Sequence, residues 1–185
     1  MMNRLQAIEL LKEYVKNEKM IQHCLASEAV MRALAVKLNQ NVEKWGLAGL
    51  LHDLDVEITN ADAYIHGKKS VEILSELKID EDIIDAIMMH NEVSAGIPRT
   101  TQFQHALAAG ETITGLIFAT TYVYPDKKIA SIKTSSVVKR MKEKNFAATV
   151  KRENIMECEK IGIPINEFAD IAINSMREIS NQLGL

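Results

Sequence analysis

The sequence predicts an all-α protein, a single-domain helical bundle of about eight or nine helices, and three observations predict it. Turn formers are scarce: eight Gly and three Pro in 185 residues is about half of an average usage near 12%. Apolar residues recur at three- and four-residue spacing along most of the chain, and no strand-like alternation lasts beyond a few residues. At roughly 150 residues per domain, the length suits one hydrophobic core.

The elements follow in order. Leu5, Ile8, Leu11 and Val15 mark a first amphipathic helix, and Met20, Cys24, Met31, Leu34 and Leu38 a second, after a polar break at 17–19. The third, 42–52, contains Gly46-Leu47-Ala48-Gly49-Leu50-Leu51, apolar on every side and therefore expected to be buried all round. Residues 54–65 lack a helical period and read as loop, with Thr59 or Asn60 available to cap a short turn; connections of this length tend to carry function. Helical pattern resumes from His66 through Val71, Leu74 and Leu77, then from Asp80, an expected N-cap, through Ile83, Ile84 and Ile87 to His90. Gly96 and Pro98 break it. A longer helix is expected over 101–122, a basic one capped by Ser135 or Ser136 and running to Lys144, and two last ones over 149–159 and 164–183.

With 47% apolar and 25% charged residues the composition excludes a disordered chain. A net charge of −3 gives no reason to expect nucleic acid or an anionic membrane as obligate partner, the cluster 139–144 being a local exception. Cys24 and Cys158 form no CxxC pattern, so neither a disulfide framework nor a cysteine zinc site is indicated. Residues 1–19 lack a signal-peptide core and no apolar run is long enough to span a bilayer, so a soluble cytoplasmic protein is expected.

Four of the five histidines lie between positions 23 and 90. His52-Asp53 emerges from the wholly apolar third helix, where an unpaired carboxylate is costly and a divalent cation would compensate it. Alone, such a dipeptide more often marks an exposed helix-to-loop turn. His23, His66 and His90 each sit at the edge of an apolar helix face in the same half of the bundle, from which facing helices can deliver ligands to one centre. His105 shows no such relation and reads as structural. Between Glu92 and Asp126 the one acidic residue is Glu111, on the stripe Phe103, Leu107, Glu111, Thr114, Phe118.

This order of residues resembles the HD-domain superfamily of metal-dependent phosphohydrolases, in which a His, a His-Asp pair and a later Asp follow one another. Here they are His23, His52-Asp53 and Glu111, with Glu in place of Asp. Leu50-Leu51-His52-Asp53-Leu54-Asp55 is similar to the family's HDIG motif, with Leu-Asp for Ile-Gly, and His66 and His90 resemble the two intervening histidines of members that hold more than one metal. The resemblance implies a first ion on His23, His52, Asp53 and Glu111, and a second on His66 and His90 bridged through Asp53. It also implies hydrolysis of a small phosphoester or nucleotide by a metal-bound hydroxide, with Asp53 and His66 as catalytic residues. One or two divalent ions (Mn, Fe, Mg, Zn, Co or Ni) are implied, and Lys68 or Lys69 is a candidate phosphate contact. His90-Asn91 in place of a doubled histidine, with no Gly-Tyr-Pro following, argues against cyclic dinucleotides as substrate. Where the deoxynucleotidase-like branch has a Glu three residues beyond the pair, Val56 stands, and neither Asp55 nor Glu57 carries that role over.

On this reading residues 1–19 form a helix packed on the core, 20–124 the HD metal-binding core, and 125–185 a helical extension of the same domain. The partner expected is a small phosphorylated substrate, with no membrane and no obligate nucleic acid; the Ala- and Thr-rich stretch 106–121 serves equally as a homo-oligomer face or as core. Two other readings compete: a catalytically degenerate HD module that binds metal or nucleotide in a regulatory or scaffolding role, and a metal-free helical interaction domain.

Overall fold

Short polar side chains cap five of the helices. In the computed structural model, which describes residues 2–185, Asn3 caps α1 (Arg4–Tyr14) in a capping box with Gln6, Asn17 caps α2 (Glu18–Lys37), and Asn41 caps α3 (Val42–Leu51). Gly67 precedes α4 (Lys68–Glu76), Asp80 caps α5 (Glu81–His90) as predicted, and the single turn α6 (Glu92–Ala95) ends at Gly96. Thr101, in a second capping box with Gln104, starts α7 (Gln102–Tyr122). The chain closes with α8 (Thr134–Arg140), α9 (Arg152–Ile155), α10 (Ile165–Glu178) and α11 (Ser180–Leu183). The fold is all-α, with no strand among the described residues.

The bundle is built around α7. Helices α2, α3, α5, α8 and α9 and a 3-10 segment at Met156–Ile161 all pack on it, and α10 packs on α2 and α8. Every residue of α3 from Trp45 to Leu51 is buried, as its all-apolar surface requires. The 106–121 stretch is mostly buried too, so it is core; Thr120 and Thr121 satisfy their hydroxyls on the carbonyls of Leu116 and Ile117.

The helix expected over 164–183 divides at Ile179 into α10 and α11, and three other segments depart from expectation. Helix α8 begins at Thr134 without a side-chain cap and stops at Arg140, short of Lys144. The Arg152 guanidinium explains the stop: it donates to the carbonyls of Arg140, Glu143, Phe146, Ala147 and Val150, drawing those groups inward instead of along a helix. The 149–159 helix reduces to α9 followed by the 3-10 segment. Ile155, Cys158 and Ile161, the buried apolar residues there, are spaced by three, a period that a 3-10 helix stacks on one face. Finally, 54–65 is a run of hydrogen-bonded turns, with Thr59 Oγ1 donating to the Asp55 carbonyl, and α4 starts at Lys68 because Gly67, at φ +95°, turns the chain into it.

A buried charged group ties α5 to the later chain. Arg99 donates from Nε to Met89 O at 2.7 Å and from Nη2 to His90 O at 2.6 Å, closing the C-terminus of α5, and from Nη1 to Glu157 Oε1 at 2.8 Å. His105 Nδ1 meets Glu157 Oε2 at 2.8 Å, which is the structural role expected of that histidine.

Candidate metal centre

Helices α2 and α3 approach closely at Gly49, where a Cβ would stand 2.6 Å from the Ser27 carbonyl oxygen and 2.9 Å from Glu28 N. That approach brings His23 of α2 and His52, just past α3, together: their Nε2 atoms are 3.1 Å apart. A matching pair forms from His66 and His90, 3.0 Å apart at Nε2. Asp53 lies between the pairs. Its Oδ1 is 3.4 Å from His52, 3.1 Å from His66 and 3.6 Å from His90, and its Oδ2 is 3.6 Å from His23, each measured to Nε2. Two compact donor groups result, His23–His52–Asp53 and Asp53–His66–His90, sharing the carboxylate.

The other ring nitrogens are committed. His52 Nδ1 faces Gly49 O at 2.9 Å and His90 Nδ1 faces Ile87 O at 2.5 Å; a carbonyl only accepts, so both rings donate there and their Nε2 atoms carry lone pairs. His23 Nδ1 donates to Thr114 Oγ1 at 2.8 Å, whose own proton goes to Glu111 O. His66 Nδ1 donates to Asp55 Oδ1 at 2.7 Å. Four Nε2 atoms therefore point at one carboxylate and at one another. Lone pairs facing at 3.0–3.1 Å repel unless positive charge lies between them, and the spacing is close to that of two nitrogens sharing one ion at about 2.1 Å. The donor set fits divalent cations.

Electrostatics point the same way. Burial drives His52 down to about 3, with Asp53 opposing only in part, so the ring stays neutral. Burial would raise Asp53, but His52, His66, His90 and His23 outweigh it and hold the carboxyl well below its usual range. His66 loses to burial and gains more from Asp53 and Asp55, ending near 10. In the metal-free protein a proton on His66 thus stands where a cation's charge would otherwise be. Burial and then Asp53 push the Cys24 thiol up, which keeps it protonated and out of the ligand competition.

Glu111 occupies the rim. Its Oε2 lies 3.8 Å from His23 Nε2, outside both compact groups, and its Oε1 accepts from Thr112 Oγ1. Burial raises its carboxyl, partly offset by His23 and His90. All six residues singled out as ligands from the sequence are thus brought to one centre, with Glu111 on the His23 side. Lys68 and Lys69 are not: Lys68 Nζ donates to Tyr64 O at 3.1 Å and Lys69 pairs with Glu72, both on the surface. These side chains, two and three residues beyond His66 at the start of α4, are engaged away from it, which spacing along the chain alone did not resolve. Glu57 is spent on the backbone N–H groups of Lys16 and Asn17.

Two residues escaped the sequence reading. Asp55, fully buried, accepts from His66 Nδ1 and, through Oδ2, from the N–H groups of Gly67, Lys69 and Ser70 at 2.8, 3.1 and 3.2 Å. It both caps α4 and orients a ligand ring, as outer carboxylates do around metal-binding histidines. Its signal was the Asp standing where the HDIG motif has Gly. The other is Lys151, in the wall of a cavity of about 540 Å³ that opens over Asp53, His23, His66, His90 and Glu111.

Residues 20–119 match the HD domain family. That span holds all six convergent side chains and more than half of the chain, and the chain belongs to the HD domain family.

Proposed function

We propose that the protein is a metal-dependent phosphohydrolase acting on a small phosphoester or nucleotide. The observation that carries this reading is the convergence of four imidazole Nε2 atoms on the single carboxylate of Asp53. His23, His52, Asp53 and Glu111 would hold one ion and Asp53, His66 and His90 a second. Divalent ions there supply Lewis acidity, polarising a phosphoryl oxygen and lowering the pKa of water toward neutrality.

The chain's own residues do the rest. Buried carbonyls, Thr114 and Asp55 fix the rings so that none must turn or shed a proton from Nδ1 on loading. Asp53 stays ionised between the two groups and holds His66 through the Nε2 side. Met20, Val56, Ala61 and Ala63 give the cavity an apolar wall for the organic part of a substrate. A cavity of about 540 Å³ suits a compound of nucleotide size.

The position of Glu111 outside both compact groups favours a second reading, an HD module that binds metal or nucleotide without turnover. Metal content together with hydrolysis of an aryl phosphate and a nucleotide panel, compared between wild type and Asp53→Ala, separates the two. Loss of both metal and rate in the variant is expected. Metal bound without turnover on any phosphoester supports the regulatory reading, and a metal-free protein indifferent to chelators sinks both.

A further inference from the structure

We infer that Lys151 is the residue that anchors the anionic group of the substrate. The inference rests on the phosphohydrolase reading and adds to it a cationic subsite built by a part of the chain outside the family match, which ends at residue 119.

The cavity wall contains three consecutive residues from this later segment, Thr149, Val150 and Lys151, and then Asn154. Their placement is built from both sides. Gly115, one turn beyond Glu111 on α7, leaves room for Val150: a Cβ there would lie 3.2 Å from Val150 Cγ2. Asn154 Nδ2 donates to Thr112 Oγ1 at 3.4 Å, and Thr112 in turn donates to the Glu111 carboxylate. Between them, Arg152 pins the preceding loop by donating to Val150 O at 2.7 Å and Ala147 O at 2.9 Å. Lys151 is therefore held against the metal-side rim by a hydrogen-bonded, close-packed segment.

Its charge is uncommitted. Among the cavity-lining residues it is the one Lys or Arg, and among the described residues no carboxylate pairs with it, whereas Arg140 pairs with Glu143 and Lys160 with Glu157. The lysines near His66 are engaged elsewhere. A phosphate ester entering this cavity thus meets a single side-chain cation besides whatever the histidine cluster holds. A lysine suits that task because its ammonium is a compact point charge with three rotatable donors, and a charge-assisted contact of this kind corresponds to about tenfold or more in affinity.

The test uses the full-length, metal-loaded protein and inorganic phosphate as probe, with Lys151→Gln and Lys151→Arg. Lys151 is exposed, so both variants are expected to fold and to carry wild-type metal content. Calorimetry should show phosphate binding weakened about tenfold in K151Q and within about threefold of wild type in K151R, with the loss in K151Q shrinking as salt rises. With an aryl phosphate, KM should rise in K151Q while kcat stays within about threefold. Phosphate bound as tightly by metal-loaded K151Q as by wild type overturns the inference and leaves the phosphohydrolase reading standing. Wild-type protein that takes up metal yet binds no phosphate overturns both.

Discussion

Replacing Asp55 by Asn tests how the second donor group is assembled. The carboxylate serves four donors: His66 Nδ1 on one oxygen, and three backbone N–H groups at the start of α4 on the other. An amide has only one accepting oxygen. Pointing it at His66 would turn the NH₂ group onto three buried backbone donors, at about 1–3 kcal/mol each. Pointing it at the backbone keeps those three bonds, weakened from charge-assisted to neutral at a total of about 2–4 kcal/mol. The second arrangement wins. It also places NH₂ against His66 Nδ1, which must then accept, so the ring's proton moves to Nε2 and its lone pair leaves the centre. Asp55→Asn should therefore lower the melting temperature by about 5–15 °C for a chain of this size. It should also weaken one of two metal equivalents about 10- to 100-fold, with the other little changed. Nitrogen-detected NMR of the histidine rings reads the tautomer, and metal titration reads the two sites. An Asp55→Asn protein that holds both ions at wild-type affinity with His66 still protonated at Nδ1 would refute the reasoning.

Two further predictions concern the same centre. The folded pKa of His66 is raised to about 10 from an ordinary 6.5, so its proton stabilises the metal-free fold fully below about pH 6.5 and that contribution is lost as pH rises toward 10. Metal must displace this proton, so apparent affinity should increase with pH and close to one proton should leave per bound second ion; calorimetry in buffers of different ionisation enthalpy measures it, and uptake independent of pH between 6 and 9 would contradict the assignment (~one proton). Gly49→Ala should cost about 3 kcal/mol in denaturant unfolding, since the added methyl meets backbone of α2 rather than a movable side chain, and a near-wild-type midpoint would refute a rigid close approach of α2 and α3.

Helices with clean periodicity were legible in the sequence: Asp80 caps α5 as read, and α7 spans Gln102–Tyr122 where a helix over 101–122 was expected. The convergence of His23, His52, Asp53, His66 and His90 was legible through order and residue type, because metal chemistry restricts both. What escaped depends on contacts remote in sequence. Arg152 ends α8 by collecting carbonyls from residues 140 to 150, and no local propensity foretells it. The 3-10 segment follows a spacing of three that short windows do not distinguish from a frayed helix. Asp55 was read as a substitution in a motif, yet burial and four donors make it a structural part of the site. Lys68 and Lys69 were attractive by proximity in sequence, whereas the cavity's cation comes from residue 151, over eighty positions later.

The Arg99–Glu157–His105 group makes the stretch that matches the family depend on residues beyond it. Arg99 and His105 lie inside the stretch that matches the family, while Glu157, their shared counter-charge, lies outside it. A chain cut at residue 119 would lose the nearer of the two carboxylates that face the Arg99 guanidinium, Glu157 at 2.8 Å, and keep only Glu92 at 3.6 Å, a loss of about 1.5–3 kcal/mol for the charge-assisted hydrogen bond against a total stability of about 5–15 kcal/mol. The stretch that matches the family is therefore shorter than the packed unit it belongs to.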